Sequence, residues 1–359
     1  MTELHPSIVL ILEAEGTPTF QHAAAPVLDL LAAATAQDPE ALSSEWVVRL
    51  ALRMAEVLVV RREELGRARL WLEQAEGHLA RLDGDEPPQA ALGWRLALLR
   101  ARALAWENKL DEASQALDAL PAPPAPWCAA QRDVARAELC LMRTTWGPIE
   151  GLLAPHLQTH DAFQSLDDLW RAMRLLASAR RNRLEFAGAE PLWRAVAQTC
   201  EAHDAPLDEA DARIALGQCL LGLGRTDEGV AQLELALERA KADPKVWQQV
   251  AANLTTALMA AGDLEAALSQ TQRAAQRAAQ DDDAHTYMMC LSAGVALYRL
   301  ARRHKDAYRE LLDVYGELLG KFGPDAASKV LPLIESLRAD LGDEAFEALS
   351  AELLAERQQ

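Results

Sequence analysis

Aromatic residues make up only 5% of this 359-residue chain, and valine, isoleucine and threonine are sparse. A β-sheet therefore has little to be built from. Lysine is scarce too: six residues, against 30 arginines. Basic residues as a whole are outnumbered by 54 acidic ones, giving a formal charge of −18. A field of that sign repels phosphate and opposes general attraction to nucleic acid or an anionic membrane. The five cysteines, Cys128, Cys140, Cys200, Cys219 and Cys290, are odd in number, widely spaced and without a CxxC pair. That pattern fits free thiols in a reducing compartment and no zinc site.

No apolar run approaches the roughly 18 residues needed to span a bilayer. The short run from Ser7 to Leu12 is flanked by acidic residues, with no basic residue before it and no small-residue cleavage site after it. It does not read as a signal peptide, and the expectation is a cytoplasmic protein. No P-loop, dinucleotide fingerprint, HExxH or G-x-S-x-G motif occurs, so neither a catalytic residue nor a cofactor is expected.

What the chain does have is alanine, leucine, glutamate, glutamine and arginine in a repeating pattern. Residues 212–240 and 252–278 each read as two amphipathic helices broken at a glycine. Gly224 and Gly262 suit the tight turn that ends the first helix. Gly229 and Ala267 allow the second helix to approach its neighbour closely. Taking that small residue as a marker, the series runs Ala68, Ala113, Gly151, Ala189, Gly229, Ala267, Ala307 and Ala345, mostly at steps of about 38 to 40 residues. Pro148 and Pro155 interrupt the pattern around Gly151, and Pro332 falls inside a helix of the last member. Acidic, Gly- and Pro-rich breaks, such as 83–88, 204–206 and 242–244, fall between repeats.

Leu216, Gly217, Leu220, Gly224, Gly229, Leu233 and Ala236 in one unit, and Leu254, Leu258, Gly262, Ala267 and Ala274 in the next, resemble the tetratricopeptide repeat in a lengthened form. The resemblance implies an all-α fold: a right-handed α-solenoid, or superhelix, of antiparallel helix pairs, each touching only its neighbours. The expected layout is N-terminal helices in residues 1–40 forming a cap or an extra pair, about seven helix-pair repeats in 41–320, and a C-terminal capping pair in 321–359.

Three smaller features have ordinary explanations. His156 and His160, four apart and beside Asp161, could share a helix face as metal ligands, but a solvated polar cluster at a helix end is the simpler reading. The PAPPAP run, Pro121 to Pro126, could serve as a polyproline ligand, yet it sits where a stiff connector between pairs is needed. Most of the nine tryptophans, Trp71, Trp193 and Trp247 among them, fall at helix-packing positions. Trp106 is the exception that the repeat frame turns toward the inner face.

In the tetratricopeptide family the concave groove is lined by helix A, mainly at its second, fifth, ninth and twelfth positions. Across seven repeats these 28 positions carry nine arginines: Arg53, Arg95, Arg102, Arg136, Arg143, Arg171, Arg174, Arg181 and Arg299. Chain-wide frequency gives about two. Acidic residues at the same positions are only Asp133 and Asp211. Later repeats instead present Ile214, Leu221, Ala252, Thr256 and Met259. The resemblance thus implies a protein-binding scaffold or adaptor without enzymatic activity. Its basic groove would hold an acidic or phosphorylated protein segment through arginine forks. The family's lysine and asparagine clamp for a carboxylate tail is not matched here.

The alternative is a peptide-sensing regulator acting through a partner protein, like bacterial quorum-sensing regulators with repeats near 40 residues. The first 40 residues contain no Arg or Lys, which disfavours a DNA-binding module there. Neither a nucleic acid nor a membrane is an expected partner. Apolar faces in the terminal helices, such as Ala345 to Leu354, could pair with another copy.

Overall fold

A computed structural model describes residues 4–19, 25–36, 42–61, 64–82, 87–159, 162–163 and 165–357. These residues are helical nearly throughout, with no strand among them. The chain divides into two compact units, Met1–Arg225 and Thr226–Gln359.

The first unit contains α1 (Pro6–Gly16), α2 (Ala25–Ala36), α3 (Ser44–Arg61), α4 (Leu65–Leu79), α5 (Pro87–Trp106), α6 (Leu110–Asp118), α7 (Pro126–Met142), α8 (Gly147–Leu157), α9 (Leu166–Asn182), α10 (Phe186–Ala202) and α11 (Pro206–Gly222). The second contains α12 (Thr226–Arg239), α13 (Pro244–Ala261), α14 (Leu264–Gln280), α15 (Ala284–Leu300), α16 (His304–Phe322), the short α17 (Pro324–Ala327), α18 (Leu331–Leu341) and α19 (Asp343–Arg357). Within each unit, helices consecutive in sequence pack on one another. Short turns between them make the neighbours antiparallel.

Among the described residues, the first unit is held together by a chain of clusters rather than by one core. In the first, Val48, Leu52, Leu72 and Leu99 join α3, α4 and α5. Trp94, Leu98, Leu117 and Leu139 join α5, α6 and α7. Ile149, Leu153 and Leu176 join α7, α8 and α9, and Trp170, Trp193, Leu216 and Leu220 join α9, α10 and α11. Each cluster spans three helices and hands on to the next, as expected of stacked repeats. Trp193 and Trp247 are buried, and Trp71 packs between the α3–α4–α5 cluster and a further one in which Ile11, Leu31 and Val57 join α1, α2 and α3. The proline run connects α6 to α7, and the Trp94 indole donates to the Pro121 carbonyl at 3.3 Å.

One turn recurs at the heart of the pairs. Asn108, Thr144, Leu184, Gly224, Gly262 and Arg302 all have φ between 55° and 80°. After each, the next backbone N–H reaches back five residues: Lys109 to Leu104, Thr145 to Cys140, Glu185 to Arg180, Arg225 to Leu220, Asp263 to Leu258 and Arg303 to Tyr298, at 2.8–3.0 Å. This is the Schellman closure of a helix C-terminus. Two of the six positions are glycine; the others adopt the left-handed conformation despite a Cβ.

The turn fixes the register. Five residues beyond it lie Ala113, Ile149, Ala189, Gly229, Ala267 and Ala307, all buried. The marker in the second of these pairs is therefore Ile149, not Gly151, which is exposed. Gly151 satisfied the small-residue pattern, but a two-residue shift turns a helix by about 200°. At the C-terminal end Ala345 is exposed, and its neighbour Phe346 takes the buried place.

Candidate functional site: the inner face of α3, α5, α7 and α9

Helices α3, α5, α7 and α9 pack beside one another along one face of the first unit, and that face is charged yet buried. Arg53, Glu56, Arg102, Asp167, Asp168 and Arg171 are each no more than 7% exposed. Charged side chains accept such burial only when paired and hydrogen-bonded. Here they are.

Glu56 Oε2 receives Arg53 Nη1 at 2.9 Å and Arg95 Nη2 at 2.6 Å. Arg102 forks onto Glu138, Nε to Oε2 at 2.9 Å and Nη2 to Oε1 at 2.8 Å. Arg171 donates to Asp167 at 3.2 Å, one helical turn away. Gln131 Nε2 and Ser165 Oγ both donate to Asp168 Oδ2, at 2.7 and 2.9 Å.

The segment after α1 is tied into the same network. Arg53 donates Nε to the Ala14 carbonyl at 3.2 Å and Nη2 to the Thr17 carbonyl at 2.7 Å. The Thr19 amide donates to Asp167 Oδ1 at 3.0 Å, and Arg53 Nη1 lies 4.0 Å from the other oxygen. The start of the chain is thus bonded to both α3 and α9.

These neighbours set the ionisation. Burial works against the Glu56 carboxylate, but Arg95 and Arg53 together outweigh it and hold its pKa well below the ordinary range. Asp167 goes the other way: burial, reinforced by Glu56 and Asp168, pushes it up to about 6. Arg171 is raised by Asp167, Glu56 and Glu138, against burial.

Above the network lies an open cavity of about 490 Å³. Arg49, Arg53, Glu45 and Glu56 of α3, Arg95 and Leu92 of α5, Trp127 and Gln131 of α7, and Ser165 and Asp168 beside α9 contribute to its wall, with Glu15 from α1. Arg49 forks onto Glu15, Nε to Oε1 at 3.1 Å, and stacks 4.4 Å from the Trp46 ring.

The expected groove residues divide accordingly. Arg53, Arg95, Arg102 and Arg171 do converge, but each is met by a carboxylate, so this face is close to neutral rather than basic. Arg136 and Arg143 lie on the other side of α7. They reach α6, Arg136 pairing with Asp118 at 2.8 Å and Arg143 with Asp111 at 2.6 Å. The cause is the shift at Gly151: moved back by two, the inner positions of α7 become Gln131, Val134, Glu138 and Leu141.

Arg174 lies 5.2 Å over the Trp170 ring. Arg181 donates to Gln218 at 3.0 Å, its pKa lowered by burial. Trp106 is half-buried against the α3–α4–α5 cluster. Arg299, in the second unit, pairs with Asp340. In that unit Ala252, Thr256 and Met259 are exposed on α13, whereas Ile214 of α11 is buried.

His156 Nε2 lies 2.9 Å from Asp133 Oδ2; His160 and Asp161 lie outside the described residues. Among the described residues no group of three or more His, Cys, Asp or Glu is placed to hold a metal, and no helix is long and apolar enough to cross a membrane. Cys128, Cys200 and Cys219 are buried free thiols. Burial pushes Cys200 up to about 12.

Comparison with solved structures places this architecture. A Rap protein complexed with competence and sporulation factor superposes with a TM-score of 0.52, covering 88% of each chain at 13% identity. The apo form of RapI gives 0.51 over 94% of this chain and 99% of its own, at 10% identity. The fold is tetratricopeptide-like. A third TPR-like match is a signal transduction ATPase with numerous domains, carrying a tetratricopeptide repeat sensor, from Pyrococcus horikoshii. It gives a TM-score of 0.57 at 11% identity, covering 94% of this chain and 52% of that one. No family model matches the chain, and no curated protein matches it in sequence.

Proposed function

We propose that this TPR-like chain is a non-enzymatic regulator or adaptor that binds a peptide or short protein segment in the cavity of its first unit. The observation that carries this reading is the cavity itself, about 490 Å³, walled by polar groups from α1, α3, α5, α7 and α9 and by Trp127. Sites of this size, with a few placed polar groups, suit a small ligand or the anchoring residues of a peptide. A Rap protein of the same fold is seen in complex with competence and sporulation factor, which supports the use of such a fold for signalling ligands.

The arginine count by itself argues for an acidic or phosphorylated segment, but the pairing on the inner face weighs against it. An incoming carboxylate would have to displace Glu56 or Glu138 from its arginine, leaving a buried charge uncompensated.

The test is to select a displayed library of random octapeptides on the full chain and to measure the recovered peptides by fluorescence anisotropy. Ala91→Trp, which fills the cavity wall, is expected to weaken binding at least tenfold. The Arg136→Glu/Arg143→Glu double variant, altered on the side of α6, is expected to leave it unchanged. The opposite pattern places the site elsewhere on the chain.

A further inference from the structure

We infer that the ligand of this cavity presents a positive charge, an ammonium or guanidinium group, to Glu45, Asp168 and Gln131; this rests on the peptide-binding reading above. The first observation is the charge of the wall. Arg49, Arg53 and Arg95 face four carboxylates, Glu15, Glu45, Glu56 and Asp168. Glu15 and Glu56 are held by those arginines, while Glu45 has no ion-pair partner among the described residues.

The second observation is which hydrogen-bonding groups are already engaged. All three guanidinium nitrogens of Arg53 are committed. Arg49 is forked onto Glu15, and Arg95 is bonded to Glu56. On the acceptor side, Gln131 gives its amide to Asp168, which fixes the orientation of the side chain and leaves its oxygen for something else. That Oε1 is buried without a hydrogen-bond partner. A buried acceptor left unmet is costly, and a donor-bearing ligand would satisfy it. Asp168 accepts both its hydrogen bonds on Oδ2.

Of the unpartnered buried groups near this face, Thr19 Oγ1, Arg171 Nη1 and Gln131 Oε1, only Gln131 Oε1 belongs to a residue of the cavity wall. Trp127 adds an aromatic surface suited to a cation. The excess of 18 negative charges on the chain draws cationic ligands toward it and repels anionic ones.

The experiment analyses the octapeptides selected as above. Lys and Arg are expected to be enriched over the input library. Replacing the enriched arginine by citrulline, which keeps the shape and loses the charge, should weaken binding about tenfold. Acetylating the peptide N-terminus separates a terminal ammonium from a side-chain cation: whichever change causes the loss names the source. Glu45→Gln and Asp168→Asn should each shrink the charge preference, and Glu344→Gln, exposed on α19, should not. Glu45→Gln alone decides the matter if Asp168→Asn fails to fold. Enrichment of Asp and Glu, indifference to charge, or a preference that survives Glu45→Gln overturns the inference. Peptides that ignore Ala91→Trp, or a library that yields none, sink the peptide-binding reading and this inference with it.

Discussion

Glu56 is the acceptor on which two arginines converge, so Glu56→Gln tests whether the buried network holds the first unit together. The substitution keeps the shape, removes one negative charge, and leaves Arg95 without its ion-pair partner and Arg53 with Asp167 4.0 Å away, at a site where Glu56 is 6% exposed. The two bonds it accepts, at 2.9 and 2.6 Å, are charge-assisted and worth about 1.5 to 3 kcal/mol each. Removing one partner of a buried ion pair costs about 3 to 5 kcal/mol. The amide oxygen still accepts one of the two bonds, so the lower end, about 3 kcal/mol, is expected. In a unit of this size each kcal/mol moves the melting temperature by about 2 to 4 °C, giving a fall of about 6 to 12 °C. Tryptophan fluorescence is the fitting assay, because eight of the nine tryptophans lie before Arg225. Glu76→Gln, which removes the exposed pair with Arg100, is the control and should leave the melt unchanged. A fall for Glu56→Gln no larger than the control's would refute the reasoning, since it would mean that water already solvates these charges.

Three further outcomes follow from the geometry. Asp167 titrates at about 6 in the folded chain against an ordinary 3.8, so between those values the folded state holds a proton that the unfolded state has lost. Its contribution to stability therefore declines as pH rises from about 4 to 6, by about 3 kcal/mol in all. Glu56, held low, acts in the opposite sense, its contribution being lost as pH falls below about 4.5. Urea melts of Asp167→Asn across pH 4–6 should lack that decline, and curves parallel to the parent's would show that Asp167 titrates normally. Leu184, at φ 62° and 73% exposed, strains its turn for no packing return. Leu184→Gly should therefore raise stability by about 1 kcal/mol in the same melts, and a loss would mean that its side chain matters to a neighbour. Gly222→Ala would set a Cβ 2.4 Å from the Phe186 ring and should cost about 1 to 3 kcal/mol; an unchanged melt would show that the ring moves freely.

The repeat was readable because its requirements are local: a turn, then five residues on, a buried side chain packed against the next helix. It was misread where the turn residue, Thr144, carries no glycine signature and Gly151 offered a false marker. That slip carried Arg136 and Arg143 into the expected groove and left Gln131 and Glu138 out. Some of the countercharges were within reach of the sequence, since Glu56 follows Arg53 by three and Asp167 precedes Arg171 by four, the spacings that meet on a helix. Glu138 stands 36 residues from Arg102 and becomes visible only once α7 is in register. The bond from Thr19 to Asp167 has no sequence signature, because nothing local specifies which later helix the α1 segment will meet. The excess of arginine was real; its meaning changed when the carboxylates across from it came into view.

That long-range bond also has a history in time. Thr19 and Asp167 are 148 residues apart, and a ribosome adding about 5 to 20 residues per second needs roughly 7 to 30 s to travel from one to the other. Through that interval α1 and the turn after it have been made, while α9, one of the two helices that anchor them, is not yet complete. Arg53 can find Glu56 early, but Thr19 must wait for α9 to emerge. A contact among the later ones this face can make is thus supplied by a segment synthesised well before its partner.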